Sequence, residues 1–200
     1  MKRSTTLTIS PISKRASLSA TLLALLALIL WVTPALAAAP AVGVVYEGKS
    51  VPGAALGSTR AKVELVYGEP AACNLGSINR TYTCTYKAAN GGAITVSYVR
   101  NLSFPTVMRN DPVSGIRWSQ ELAGWRTTAG VTTKLAALDP KAVVAAYPKA
   151  IVKYNAKGEI VQVRDAHLGI QVDWLAPSPA GSNLRRVSMA IFPVATITTP

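Results

Sequence analysis

The chain is poor in the side chains that most enzymes use for chemistry. Among 200 residues there is one histidine, His167, two cysteines and nine Asp/Glu. One histidine and two cysteines do not supply the three or four ligands of a structural or catalytic zinc site. No Gly-x-Ser-x-Gly elbow occurs, and no glycine-rich phosphate loop precedes a helix. Asp165 lies two residues from His167, on the opposite side if that stretch is extended, and no nucleophile accompanies them. The sequence therefore reads as non-catalytic, with no cofactor and no metal. It has no Cys-x-x-Cys, so a thiol redox pair is not the expected use of its cysteines. No arginine cluster interleaved with aromatics is present, which argues against nucleic acid as a partner.

What is present begins with an export signal. Lys2, Arg3, Lys14 and Arg15 make a positive start, Leu18 to Val32 is apolar and uncharged, and Ala35-Leu36-Ala37 follows the break at Pro34. This pattern predicts cleavage near Ala37. The apolar run is short for a bilayer span, and no later stretch is long enough for one. The expected mature chain starts at residue 38, is secreted or periplasmic, and holds roughly 163 residues, enough for one domain or two small ones. Removing four Lys/Arg lowers the formal charge from +12 to +8, seventeen Lys/Arg against nine Asp/Glu. The densest basic stretch is Lys134, Lys141, Lys149, Lys153 and Lys157. A basic exported chain favours anionic neighbours. An even cysteine pair in such a chain predicts a disulfide between Cys73 and Cys84.

Local signals place the elements. Ser58 or Thr59 can cap a helix over 59–67, with Val63, Val66 and Tyr67 at helical spacing, Gly68 at its end and Pro70 beyond. Residues 80–87 alternate, with Tyr82, Cys84 and Tyr86 on one side and Thr81, Thr83 and Thr85 on the other. Asn90-Gly91-Gly92 is a turn, and 93–100 alternate again, which predicts a hairpin. Asp139-Pro140 opens a second helix, stopped by Pro148, with Val143, Val144 and Tyr147 on its buried side. Strands follow at 151–154, 160–164, 168–174 and 184–192. The two halves echo each other: Gly57-Ser58-Thr59-Arg60 … Tyr67-Gly68-Glu69-Pro70 against Gly130-Val131-Thr132-Thr133 … Tyr147-Pro148. The expectation is an α+β fold, a tandem repeat of short helices packed on an antiparallel β-sheet, with a first unit over 38–122 and a second over 123–200. Residues 101–125, with Pro105, Pro112, Gly115 and Gly124, read as the joint.

The pattern Gly-Ser-Thr-Arg-x-x-Val … Gly-Glu-Pro, then Cys73, Cys84 and a hairpin, resembles the secreted β-lactamase-inhibitor proteins. It also resembles the superfamily they share with outer-membrane lipoproteins of the BamE (SmpA/OmlA) type. The likeness is best over residues 50–100 and loose over 128–175. It implies a scaffold that acts by gripping another protein. The loop Ala88-Ala89-Asn90-Gly91-Gly92 stands where the inhibitors carry an aspartate and an aromatic residue.

The expected function is a secreted protein-binding module whose protein partner the sequence does not identify. The contact candidates are Asn90, Gly91 and Gly92 in the loop, and Trp118, Trp125 and Trp174, because aromatics concentrate at binding hot spots. Each tryptophan has a second reading, as core or as packing between the units. One alternative is inhibition of a β-lactamase or another extracellular enzyme. Another is a basic envelope-associated protein that holds an anionic polymer or lipid surface.

Overall fold

The computed structural model describes residues 40, 42–75, 80–87, 92–100, 108–118, 124–132, 138–175 and 186–194. The expected signal over 1–37 and its cut near Ala37 lie outside the described residues, as do Asn90 and Gly91. Two short helices are present among the described residues. α1 is Arg60–Tyr67. Thr59 is its cap: the backbone there is extended, and the hydroxyl accepts from the Lys62 N–H at 3.4 Å. Gly68 ends it with φ +77°, a conformation that glycine adopts without steric cost. Val63 and Tyr67, four residues apart, are buried, whereas Leu65 faces water. α2 is Pro140–Ala146, capped by the Asp139 carboxylate, which accepts from the Lys141 N–H at 3.1 Å.

The strands are β1 (Gly43–Val45), β2 (Ser50–Val51), β3 (Ala54–Ala55), β4 (Ala72–Asn74), β5 (Thr81–Lys87), β6 (Ala93–Val99), β7 (Val113–Trp118), β8 (Trp125–Thr127), β9 (Ile151–Tyr154), β10 (Ile160–Asp165), β11 (Ile170–Leu175) and β12 (Arg186–Ile191). Eight of them form one antiparallel sheet in the order β4-β5-β6-β7-β12-β11-β10-β9. β1 pairs with β8 in parallel, and β2 with β3.

The fold departs from the α+β tandem repeat expected from the sequence. The protein is mostly β, with two short helices beside an eight-stranded antiparallel sheet, and it is not a tandem repeat of short helices on a sheet. The difference arises at β7. Residues 113–118 read as a joint because of the prolines and glycines around them. They form a central strand, bonded to β6 on one side and to β12 on the other. One ladder therefore runs through both halves of the chain.

The register sorts side chains onto two faces. On one face Tyr86, Ile94, Trp118, Met189, Val172, Val163 and Val152 form a continuous row across seven strands. The first six are buried and Val152 is partly so. A second row beside it is Cys84, Val96, Ile116, Ile191 and Ile170, all buried. Burying each such large apolar side chain contributes about 1.5–3 kcal/mol. The helices cover this face. Tyr67 of α1 meets Tyr86 with ring centroids 6.0 Å apart. Leu138, at the approach to α2, accepts at its carbonyl from the Trp174 indole N–H at 3.4 Å.

A tyrosine cluster fills the space under α1. Tyr82 and Tyr98 stack at 5.2 Å, and the Tyr86 and Tyr98 hydroxyls lie 2.7 Å apart. Burial is the main cause that pushes the Tyr82 phenol up to about 12, and it donates to the buried Asp111 carboxylate at 3.1 Å. Above the cluster, Glu64 accepts from Arg60 at 2.7 Å and from Arg109 at 3.0 Å.

Candidate functional site

The opposite face of the sheet has a different composition. Its central row runs Ala72, Thr85, Thr95, Arg117, Ala190, Gln171, Arg164 and Ile151, one residue from each of the eight strands. Asn74, Thr83, Ser97 and Gly115 form a second row beside it. Apart from Ile151 at the edge, the side chains are short or polar, and no described helix lies over them. Strand alternation produces this arrangement directly: Tyr82, Cys84 and Tyr86 take the core side, so Thr81, Thr83, Thr85 and Lys87 take the other.

A groove of about 270 Å³ crosses the middle of this face, lined by Ser97, Gly115, Arg117, Gln171, Arg164 and Phe192 among others. Gly115 forms its floor. A Cβ there would meet only ordinary contacts, at 3.6 Å from the Ile191 carbonyl. The Arg164 guanidinium stands 4.7 Å over the Phe192 ring, a cation–π contact that holds its charge at the rim. Arg117 reaches Asp173 at 3.9 Å and keeps half of its side chain in water. Asp173 also accepts from Gln162 at 2.6 Å and from Gln171 at 2.9 Å. That carboxylate thus accepts from two amides and pairs with Arg117, and the described charges on this face are mostly positive: Arg117, Arg164, Lys87 and Lys153 against Asp173.

Cys73 and Cys84 are directly opposed on β4 and β5 and form a disulfide. It ties the chain leaving α1 to the first long strand. Gly92 is buried just before β6. The tryptophans are in the core. Trp118 and Trp125 pack edge to face at 5.9 Å and are 1% and 2% exposed, and Trp174 is 5% exposed. Almost no indole surface remains for a partner: Trp118 and Trp125 pack on each other, and the Trp174 N–H is turned to the Leu138 carbonyl. His167 is exposed in the turn between β10 and β11. Asp165 is buried and accepts from the backbone N–H groups of His167 and Leu168 at 2.9 and 3.0 Å. Among the described residues no group of three or more His, Cys, Asp or Glu is placed to hold a metal. No described helix is long and apolar enough to cross a membrane.

Sequence reasoning missed Arg117 and Arg164 as face residues, and it missed a buried carboxylate. Glu47, in the turn after β1, is 9% exposed. It accepts from the Thr128 hydroxyl, from the Tyr147 hydroxyl at 2.9 Å and from the Ala129 N–H at 3.3 Å. Burial acts to raise its carboxyl, but these hydrogen bonds outweigh burial and hold it below the ordinary glutamate range. No local pattern marks a residue whose partners lie 81 to 100 positions away. No family model, curated protein or solved structure matches this chain.

Proposed function

We propose that the chain is an exported, non-catalytic protein-binding module, and that its contact surface is the polar face of the eight-stranded sheet. The observation that carries the reading is the row from Ala72 to Arg164, short or polar across seven strands while every described helix packs on the other side. Seven strand spacings give a width of about 34 Å, and six-residue strands a height of about 20 Å. Together these approach the ~800 Å² per partner of a standard interface. Short Thr, Ser, Ala and Gly side chains lose little entropy when covered. Arg117 and Arg164 favour an acidic partner surface and set its approach. The disulfide supports export, since such bonds persist in oxidising compartments.

A photo-crosslinking residue at Thr95, on the proposed face, compared with one at the exposed Leu65 of α1, tests this in the native secretome. The expected result is a discrete adduct from position 95 alone, lost in Arg117→Glu/Arg164→Glu. Equal adducts from both positions reject the face. The resemblance to β-lactamase inhibitors motivates a parallel assay, in which the protein at ~10 μM slows a β-lactamase or another extracellular hydrolase if inhibition is its specific task.

A further inference from the structure

The sheet has two edges, and they are finished differently. β4 is three residues long and is tied to β5 by the Cys73–Cys84 disulfide. β9 is the other edge, bonded to β10 and, among the described residues, to nothing on its outer side. An edge strand presents unpaired N–H and C=O groups, which natural proteins blunt with charge, proline or a bulge. β9 has Lys153 and an irregular register opposite, between Ile160 and Gln162. Yet Ile151 is 65% exposed and Tyr154 61% exposed. Blunting an edge requires neither side chain in water.

Beside β9 lies a cavity of about 610 Å³, between the start of α2 and the β9–β10 turn. Pro140, Val144, Tyr154 and Ile160 line it, together with Lys141 and Asp139. Val152 pairs with Val163 on the core side, so Tyr154 also points to that side and into the cavity, whereas Ile151 and Lys153 point to the polar face. A strand laid against β9 would follow the same period of two. Its alternate side chains would meet apolar lining on one side and Lys153 on the other.

The charge selects the occupant. Lys141, Lys149, Lys153 and Lys157 are all exposed around this edge. The two acids nearby are engaged: Asp139 caps α2, and Glu159 accepts from the Asn155 amide at 2.7 Å. A second copy paired through β9 would set Lys153 and its neighbours against the same cations, an unfavourable match. An acidic segment has no such conflict. We infer that the β9 edge accepts, as a ninth strand, an extended segment of a partner protein in which apolar and acidic residues alternate. The apolar residues enter the cavity beside α2 and the acidic ones face Lys153. This rests on the reading of the chain as a protein-binding module, and it places a second contact at the outer edge of the sheet, three strands from the β7–β12 seam.

The test uses the protein as its cell produces it and two synthetic octapeptides, four Val-Glu repeats and four Val-Lys repeats. The readout is hydrogen exchange of the β9 amides by NMR, with affinity from the same titration. The Val-Glu peptide is expected to slow exchange within 151–154 at least tenfold. Lys153→Glu, at an exposed side chain, should weaken it tenfold or more, and Arg117→Glu should leave it unchanged. Absence of slowing at millimolar peptide overturns the proposal. So does equal slowing by the Val-Lys peptide, or binding without backbone protection, which would mean simple polyanion attraction. Protection that grows with protein concentration in the absence of peptide would assign the edge to a second copy instead. If β9 stays unprotected while the Thr95 adduct persists, the edge proposal falls and the face reading stands; the converse result separates them the other way.

Discussion

Glu47→Gln should destabilise the protein by about 2–4 kcal/mol at pH 7. The substitution keeps the shape and removes the charge. Glu47 faces three donors: the hydroxyls of Thr128 and Tyr147 and the N–H of Ala129. A glutamine offers one acceptor oxygen and an amide group that only donates. Its oxygen can still accept from Tyr147 and Ala129, but its amide must donate to the Thr128 oxygen, so the Thr128 hydroxyl has to turn and its proton loses the carboxylate. A hydrogen bond to a charged acceptor contributes about 1.5–3 kcal/mol, and a stranded buried donor costs about 1–3 kcal/mol. The assay is urea unfolding of wild type and variant from pH 8 to pH 3. The folded Glu47 carboxyl is held below its unfolded value, which is about 4.3. Its contribution is therefore complete above that unfolded value and is lost as pH falls through the lower folded one. The gap between the two proteins should be constant from pH 8 to about 6 and should narrow below about pH 5. Tyr147→Phe removes one donor, and its cost should be coupled to Glu47→Gln by more than about 0.5 kcal/mol in a double-mutant cycle. A cost under about 0.5 kcal/mol, or a gap that widens in acid, refutes the network as described.

Replacing Cys73 and Cys84 by alanine opens a loop of sequence separation 11, and chain entropy gives a loss of about 3 kcal/mol, read as a fall in Tm of about 6–12 °C by calorimetry. Gly169 has φ +70°, and a Cβ there would lie 2.3 Å from the Phe192 carbonyl oxygen and 2.7 Å from the Gly48 Cα; Gly169→Ala should cost at least about 3 kcal/mol in urea, because backbone must move. Gly158, with φ +75° and open space around it, should cost only about 1–2 kcal/mol as alanine, the left-handed penalty alone. The Trp125 indole N–H donates to the Pro40 carbonyl at 2.8 Å, whereas the buried Trp118 N–H has no partner; Trp125→Phe should therefore cost about 1 kcal/mol more than Trp118→Phe, and equal costs would reject that hydrogen bond.

Local chemistry made most elements legible. The helix expected over 59–67 is α1, because Thr59, Gly68 and Pro70 act within a turn of it. The hairpin strands at 80–87 and 93–100 are β5 and β6, because alternation and Asn90-Gly91-Gly92 are adjacent in sequence. Pairing at long range was not legible. Gly115 and the prolines near β7 gave linker signals, yet Trp118 pairs with Ile94 on one side and Met189 on the other, a partner 71 positions later. β1 finds β8 across 82 residues, in parallel, with no turn to announce it. The same limit governed the site. Thr83 and Thr85 could be assigned to the face opposite Tyr82 and Tyr86, but only the register of β12 brings Arg117 beside Ala190 and, two strands on, Arg164. The tryptophans stayed open between two readings for a related reason: aromatic residues suit a hot spot and a core equally, and only the fold decides between them.

The joint between the two halves of the sheet is also the middle of the proposed face. β7 and β12 pair only at Met189–Trp118, Ala190–Arg117 and Ile191–Ile116, whereas β5 and β6 pair from Thr81–Val99 to Lys87–Ala93. Arg117 and Ala190 point to the polar side at that short seam. If the face is the contact surface, its partner lies across the seam and must stabilise it. At a hundredfold excess over Kd that stabilisation is about 2.7 kcal/mol, so exchange of the β7 and β12 amides should slow by about a hundredfold where opening occurs at the seam. A peptide on β9 is three strands away and should leave those amides unchanged. The two contacts can therefore be told apart within one molecule, by which strands each ligand protects.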